Sequence, residues 1–158
     1  MILKSYIVEK NISGLKKYHS ILMYGENNGI KDDIKEELKK DKEDNEIIIL
    51  FNEEIIKNNE LLLNHKNSAS LFSSKKIIFI HEASDKIFET IENFLQYKNS
   101  DIKLYIFANT LEKRSKLRIY FEKNNDVGVI ACYQDNERTL MNYVNSKLKG
   151  WKGLSGEV

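Results

Sequence analysis

The chain has no proline, one cysteine and only seven glycines among its 158 residues. Because no Pro-rich or Ser-rich linker interrupts it, we expect one principal domain. The single Cys132 cannot form an internal disulfide, and the first ten residues lack the basic-then-apolar pattern of a secretion signal. Both observations favour a cytoplasmic location.

Charge of one sign and long hydrophobic runs are also missing. The 25 Lys and Arg nearly balance the 24 Asp and Glu, which excludes a strongly basic arm or acidic tail as a feature of the whole chain. The longest apolar runs, 47–51 and 77–80, are far shorter than the roughly 20 residues of a membrane helix. A chain of this length can instead bury a single hydrophobic core.

Five short β-branched and aromatic runs recur along the chain, and their apolar residues are consecutive rather than alternating. Such runs predict strands buried on both faces. The runs are 21–24, 46–51, 76–80, 102–107 and 127–133. Apolar residues at helical spacing lie between them, so the sequence predicts a three-layer, doubly wound α/β domain with a mostly parallel five-stranded sheet.

The predicted domain spans residues 1–148. Residues 1–19 have a weak apolar pattern that fits either a lead-in helix or an edge strand. After the fifth predicted strand, an apolar stripe comprises Leu140, Tyr143, Val144 and Leu148. Residues 149–158 contain three glycines and an isolated Trp151, and we expect a linker-like tail there.

The loop after the first predicted strand is the first place to look for a ligand site, because ligands of doubly wound sheets bind beyond the carboxyl ends of the strands. Gly25, Gly29 and Lys31 precede or begin a helix there, as in a phosphate-binding loop. However, the spacing departs from G-x-x-x-x-G-K-[ST], and Asp32 replaces the hydroxyl residue. Glu26 and Asp32 would repel phosphate, so we expect a degenerate P-loop that binds no nucleotide.

The end of the third predicted strand supports the same interpretation. An active P-loop enzyme places acidic residues there to hold magnesium, whereas this chain has His81 followed by Glu82. We interpret His81 as a polar strand-end residue that meets solvent, and no other His or Cys is spaced to complete a metal site. Cys132 lies within an apolar strand, where a thiol is usually inert. The sequence therefore predicts no catalytic residues, no metal site and no cofactor.

A Leu71–Phe72 pair stands among small polar residues before the third predicted strand, with neither helical nor strand periodicity to explain it. Two adjacent large hydrophobic residues on a polar loop can insert into an apolar pocket of a partner. The alternative is that the pair folds back onto the core of its own domain. Periodicity alone leaves both interpretations open.

Basic residues concentrate after the fourth predicted strand, at Lys113, Arg114, Lys116 and Arg118. Positive charge at the start of a helix is disfavoured by the helix dipole, which hints at an anionic partner. A solvated helical face is the commoner explanation of such a run.

Three motifs stand out along the chain: Ala-Ser-Leu-Phe before a Lys-Lys-apolar strand, Phe-Ala-Asn-Thr-Leu-Glu-Lys-Arg-Ser-Lys-Leu-Arg, and Ala-Cys-Tyr-Gln-Asp-Asn-Glu-Arg-Thr-Leu. Together they resemble the delta subunit family of bacterial DNA polymerase III. The resemblance runs from about Tyr18 to Leu148. It implies a P-loop NTPase or AAA+-like domain of a clamp-loader subunit without a working nucleotide site.

The resemblance also implies a function and partners. Delta subunits bind the ring-shaped sliding beta clamp through a short hydrophobic element and let the ring open, without hydrolysing ATP. By motif match this element falls on Ser70, Leu71 and Phe72. Other clamp-loader subunits and primer-template DNA are the further partners implied. The family continues into lid and collar domains that do not occur in this sequence, so we expect a fragment or a truncated product.

The leading hypothesis is therefore a non-catalytic, clamp-binding module of the DNA replication machinery. A nucleotide-binding enzyme of the P-loop type is the first alternative, since Gly25, Gly29 and Lys31 retain part of that motif. A DNA-binding domain that uses the basic residues 113–118 is the second.

Overall fold

A computed structural model describes most of the chain and its central sheet. The described residues are 1–4, 12–41, 45–68, 75–97, 101–133, 144–145 and 148. The strands, in chain order, are β1 (Ile2–Lys4), β2 (Ser20–Tyr24), β3 (Asn45–Phe51), β4 (Lys75–His81), β5 (Ile102–Phe107) and β6 (Gly128–Ala131). The α-helices are α1 (Asn28–Leu38), α2 (Asn52–Lys57), α3 (Leu61–Asn67), α4 (Phe88–Gln96) and α5 (Lys116–Lys123). Short 3-10 helices span Ile12–Lys17, Lys39–Asp41 and Asp85–Ile87.

The described strands form one sheet in the order β1-β6-β2-β5-β4-β3, and every neighbouring pair is parallel. Successive side chains of a strand point to opposite faces. In β4, Ile78 and Ile80 therefore enter one hydrophobic core, while Ile77 and Phe79 enter the other. This two-sided burial is the physical reason for the uninterrupted apolar runs in the sequence.

Helices cover both faces of the sheet. Residues of α2, α3, α4 and α5, such as Leu62 and Phe121, pack in the core on one face. On the other face the stripe of Ile30, Ile34 and Leu38 on α1 packs beside Leu15 from the first 3-10 helix. The predicted three-layer α/β architecture with a parallel sheet is confirmed.

Some details of the prediction are wrong. The sheet has six strands rather than five, because residues 2–4 form β1 beside β6 at one edge. The second predicted helical stripe, which comprises Ile55, Ile56, Leu62 and Leu63, is divided between α2 and α3, and Ile56 is exposed. Of the last predicted stripe, Leu140 and Tyr143 lie outside the described residues, as does the tail 149–158.

Candidate functional site

Gly25 is the one residue of the predicted P-loop whose backbone requires glycine. Its φ is +124°, and a Cβ at this position would lie 2.0 Å from the carbonyl oxygen of Cys132. The Gly25 amide donates to the Asn109 oxygen at 3.0 Å, and the Asn27 amide donates to the Cys132 oxygen at 3.0 Å. The loop after β2 is thus hydrogen-bonded to the segments that follow β5 and β6.

The start of α1 is closed by its own residues. The side-chain oxygen of Asn27 accepts from the Ile30 amide at 3.3 Å, and the Asn28 amide donates to the Glu26 carbonyl at 3.0 Å. A Cβ on Gly29 would meet only the Asn27 side-chain oxygen, at an ordinary contact distance of 3.5 Å. Gly29 therefore lacks the close approach that makes P-loop glycines necessary.

Lys31 points into the protein and is only 6% exposed. Its ammonium donates to the Gly25 carbonyl at 2.7 Å and to the Ala108 carbonyl at 3.0 Å. Burial lowers the pKa of Lys31, since desolvation disfavours the charged form. The lysine that would neutralise a phosphate in a working P-loop is here directed at two main-chain oxygens.

His81 is the last residue of β4, as predicted, but its ring lies half-buried between two aromatic side chains rather than fully in solvent. The ring centroids of Phe107 and Phe51 lie 5.2 Å and 5.5 Å away. Its Nε2 is buried and has no hydrogen-bond partner among the described residues. Burial, followed by the nearby ammonium groups of Lys35 and Lys39, lowers the pKa of His81. The imidazole therefore favours its neutral form.

Glu82 follows with a φ of 57°, a left-handed conformation that is uncommon outside glycine. Glu82 directly follows the last residue of β4, and its side chain is exposed. Within the described ranges, no group of three His, Cys, Asp or Glu lies together as a metal site would require. Cys132 is fully buried.

The predicted clamp-binding residues Ser70, Leu71 and Phe72 lie outside the described residues. The nearest described residues are Ser68, which follows α3, and Lys75, the first residue of β4. They lie at the end of the sheet where the parallel strands begin. Lys76, in β4, is 5% exposed, and its ammonium donates to the His65 oxygen at 2.8 Å. It also donates to the main-chain oxygen and to the hydroxyl of Ser68.

A second lysine anchors the same helix. Lys66 in α3 donates from its ammonium to the carbonyl oxygens of Phe94, at 2.7 Å, and Tyr97 at the end of α4. The same ammonium lies over the rings of Phe94 and Tyr97, with its nitrogen 4.8 Å and 5.5 Å from their centroids. The C-terminal ends of α3 and α4 are therefore joined through Lys66.

The predicted basic patch is divided in the structure. Lys113, Arg114 and Lys116 are exposed, and Arg114 forms a 2.8 Å ion pair with the exposed Glu112. Arg118 instead turns inward, with its side chain 16% exposed. Three of the four predicted cations thus remain at the surface as a candidate contact for an anionic partner.

Arg118 belongs to a cluster of polar and aromatic groups beside β2. Its Nε donates to Glu122 at 2.9 Å, its Nη1 donates to the Leu111 oxygen at 3.0 Å, and its guanidinium lies 5.0 Å from the centroid of the Tyr24 ring. The hydrogen bond to Glu122 raises the pKa of Arg118, and burial together with the Tyr133 hydroxyl raises that of Tyr24. These contacts give Arg118 a structural role within the domain.

Asp85 supplies the negative charge that α5 lacks in its own first turn. Its carboxylate accepts from the Ser115 hydroxyl at 2.7 Å and from the amides of Lys116 and Leu117, each at 3.1 Å. Burial raises the pKa of Asp85, but the hydrogen bonds from Ser115 and the two amides outweigh it and hold the pKa below its ordinary value. Asp85 thus offsets the dipole cost of the basic residues at this helix start.

Sequence reasoning missed Lys76 and Asp85 as residues that position other elements. A signal for Lys76 was present, because a charged residue directly precedes four consecutive apolar residues of a strand. Asp85 carries no comparable signal, since its partner helix begins 31 positions later in the chain.

Fold and site together define a three-layer α/β domain with a parallel sheet, in which the loop after β2 is hydrogen-bonded to the segments that follow β5 and β6. The structure is similar to the DNA clamp loader delta protein of Bacillus subtilis, with a TM-score of 0.70 and 12% sequence identity. The match covers 92% of this chain and 47% of that protein, so the chain spans less than half the length of this relative. At this identity the likeness establishes the fold.

The family model described as "DNA polymerase III, delta subunit" matches residues 22–132. The chain therefore belongs to the delta subunit family of DNA polymerase III, a family of the DNA replication machinery. A comparison with curated proteins finds no significant match. No helix in the described part of the chain is both long enough and apolar enough to cross a membrane.

Proposed function

We propose that this chain binds the sliding beta clamp and opens it for loading onto DNA, as the clamp-binding part of a delta subunit. The observation that carries this proposal is the family match over residues 22–132, which includes the Leu71–Phe72 pair. Partners beyond the clamp would be the other clamp-loader subunits and primer-template DNA. The domain itself would carry no catalytic residues.

Leu71 and Phe72, with Ser70 beside them, are the proposed contact with the clamp. Their argument rests on the sequence, where a large apolar pair is surrounded by small polar residues. Such a pair binds most tightly when it enters a desolvated pocket of the partner, as hot-spot residues do. Binding in a clamp pocket would bury the pair, so the pair need not fold onto its own domain.

Clamp opening would proceed without ATP hydrolysis by this domain. The geometry of the loop after β2 supports this part of the proposal, because the Lys31 ammonium and the amides of Gly25 and Asn27 donate to main-chain oxygens. A phosphate would have to displace those acceptors. His81 and the exposed Glu82 also offer no pair of acidic ligands for magnesium at the end of β4.

The experiment that tests the site measures binding of this chain to the sliding clamp of the same organism. Truncating each anchor costs about 2 kcal/mol or more, so Leu71→Ala/Phe72→Ala, at about 4 kcal/mol, should weaken binding by about 700-fold or more. Ile56→Ala is the matched control, because it removes an exposed apolar side chain from α2. Full affinity in the double variant would contradict the assignment of the clamp contact.

Opening is tested separately with fluorescent probes placed across the subunit interface of the clamp ring. The wild-type chain should separate the probes without ATP, and the double variant should not. For the nucleotide alternative, calorimetry with ATP and magnesium should give no saturable binding. Saturable binding that Lys31→Ala weakens would establish a P-loop enzyme instead.

A further inference from the structure

Among the described strands, β3 lies at one edge of the sheet and pairs only with β4. Along a strand, the N–H and C=O of one residue point to one side, and those of the next residue point to the other. In β4 the Lys76 amide donates to the oxygen of Asp101, the residue directly before β5. The even-numbered residues of β4 therefore bond β5, and the odd-numbered residues bond β3.

Two main-chain positions of β3 consequently point away from the sheet. Ile77 lies opposite Ile47, and in a parallel ladder a residue bonds the two neighbours of its opposite residue. The N–H and C=O of Ile47 therefore face outward, as do those of Ile49 two residues on. Phe51 supports this direction, because its amide donates to the Glu54 carboxylate at 2.8 Å. Within the described part of the chain, no hydrogen bond engages the outward groups of Ile47 and Ile49.

The side chains along this edge are apolar and partly exposed. Ile47 packs against the core on the α1 face, and Ile49 and Phe51 share its face because side chains alternate along a strand. Ile49 is 42% exposed and Phe51 is 46% exposed. Natural proteins usually protect a sheet edge with Lys, Pro, a bulge or a very short strand. Strand β3 has seven residues without Lys or Pro, so its edge is open to another strand.

We propose that β3 pairs with β3 of a second copy of this chain, in antiparallel orientation, about a two-fold axis through Ile48. The inference goes beyond the proposed function and does not rest on it. Ile47 then lies opposite Ile49 of the second copy, and the outward N–H and C=O groups of these residues bond each other. The same pair occurs twice, since a two-fold interface uses the same surface of both copies.

A second copy is the occupant because the edge is complementary to itself in this register. The apolar side chains of Ile47, Ile48 and Ile49 face one another across the axis. Glu46 lies opposite Leu50 of the second copy rather than opposite another carboxylate, so no like charges meet.

Other two-fold registers fit less well. An axis at Ile47 places Ile49 opposite Asn45, a polar residue. An axis at Ile49 places Ile47 opposite Phe51, whose amide is already hydrogen-bonded within its own chain. The open main-chain groups and the apolar side chains thus agree on the same axis.

Sedimentation velocity of the full chain tests the proposal. An interface of a few main-chain hydrogen bonds and two apolar side chains should give a weak dimer, with a Kd of about 10–100 µM. The dimer fraction should therefore rise between about 5 and 500 µM chain. A chain that stays monomeric over this range would overturn the proposal in favour of a strand from a different protein.

Two edge variants identify the strand that pairs. Ile47→Pro removes an outward N–H and no bond to β4, which is how an edge strand tolerates proline. Ile49→Lys places a charge against the second copy. Each variant should weaken the dimer about tenfold or more.

Ile119→Lys is the matched control for the edge variants. Ile119 is also exposed, but it lies on α5, which packs against β2 and β6, so this variant should dimerise as the wild type does. Equal weakening by Ile119→Lys would overturn the proposal, because association would then not depend on β3. Wild-type dimerisation of both edge variants would overturn it too.

A disulfide tests the register. In an antiparallel pair, opposite residues that do not bond each other have Cα atoms about 4.5 Å apart, within the range of a disulfide. Ile48 would lie opposite its own counterpart in such a pair, so Ile48→Cys should yield a covalent dimer on mild oxidation, whereas Ile119→Cys should not. Absence of the Ile48→Cys cross-link at concentrations where the wild type dimerises would overturn the proposed axis.

Discussion

The two ends of the parallel sheet use a buried lysine in opposite ways. Where the strands finish, Lys31 binds the oxygens of Gly25 and Ala108, and the surrounding loops are hydrogen-bonded to each other. Where the strands begin, Lys76 binds oxygens of α3 and Ser68 beside the proposed contact segment. Doubly wound domains usually bind ligands at the first of these ends. The proposed clamp contact, residues 70–72, instead precedes β4 in the chain.

The comparison shows that a fold can keep a loop where P-loop proteins bind nucleotides, while the hydrogen-bond donors of that loop bind the protein's own backbone. The amide of Gly25 and the ammonium of Lys31 are the kinds of group that hold phosphates in P-loop proteins. Here both donate to main-chain oxygens of the domain. We therefore expect substitutions where the strands finish to alter the stability of the domain. Substitutions of Leu71 and Phe72 should alter clamp affinity.

Gly25→Ala should have the largest effect on stability among substitutions at the end of the sheet where the strands finish. The added Cβ would lie 2.0 Å from the Cys132 oxygen on a backbone with φ +124°, so we expect a loss of about 3 kcal/mol or more in the free energy of unfolding. Urea denaturation measures it. Gly29→Ala is the control, because its Cβ meets an ordinary 3.5 Å contact within α1. Equal stability of both variants would show that the loop is not closed as described.

Asp85→Ala should have the next largest effect. Removing the carboxylate leaves the Lys116 and Leu117 amides without this acceptor, at a cost of about 1–2 kcal/mol in the free energy of unfolding. Because the folded state holds the pKa of Asp85 below its ordinary value, its stabilisation is present at neutral pH and is lost as the pH falls below about 4. Denaturation should therefore show a smaller difference in stability between the variant and the wild type at pH 3 than at pH 7.

His81→Leu tests the end of the sheet where the strands finish, through the pH dependence of the free energy of unfolding. Burial and nearby ammonium groups lower the pKa of His81, so the unfolded chain takes up a proton more readily as the pH falls below about 6.5. The wild type should lose stability between pH 7 and pH 5, by less than about 1 kcal/mol from this residue. The variant should lose less over that range. Identical pH profiles for the two proteins would contradict the half-buried environment of His81.

The smallest effect on stability is expected from neutralising the exposed cations. Lys113→Gln/Arg114→Gln/Lys116→Gln should change the free energy of unfolding by less than about 0.5 kcal/mol, because exposed ion pairs contribute little. Clamp affinity should also be unchanged, because these residues follow β5 at the end of the sheet where the strands finish, whereas the proposed clamp contact precedes β4. A lower affinity with a flatter salt dependence would show that these three cations also contact the clamp, through an anionic surface. The same titration with DNA tests the DNA-binding alternative.

The sheet was predictable because burial on two faces leaves an uninterrupted apolar run for each long strand. The predicted range of β5 agrees with the structure, and that of β4 is one residue shorter at each end. Strand β1 was not predictable in the same way, because three residues carry too little pattern and their pairing with β6 spans most of the chain. The break between α2 and α3 could not be predicted from periodicity either, because the apolar spacing of the second helical stripe continues across Asn58.

The site was predictable only where a residue's own neighbours determine its chemistry. The departures from the P-loop pattern at Gly29, Lys31 and Asp32 are visible in the sequence. By contrast, the stacking of His81 on Phe51 and Phe107 joins three strands, and Asp85 caps a helix that begins 31 positions later. Contacts of this kind depend on topology rather than on local pattern.

The burial of Cys132 has a practical consequence for following these events in solution. It is the only cysteine of the chain, and none of its surface is exposed. A thiol introduced by Asn67→Cys, at an exposed position at the end of α3, would therefore react with a maleimide dye far faster than the native one, with no need to remove Cys132 first. Such a labelled chain would report binding at the proposed clamp contact by fluorescence in real time.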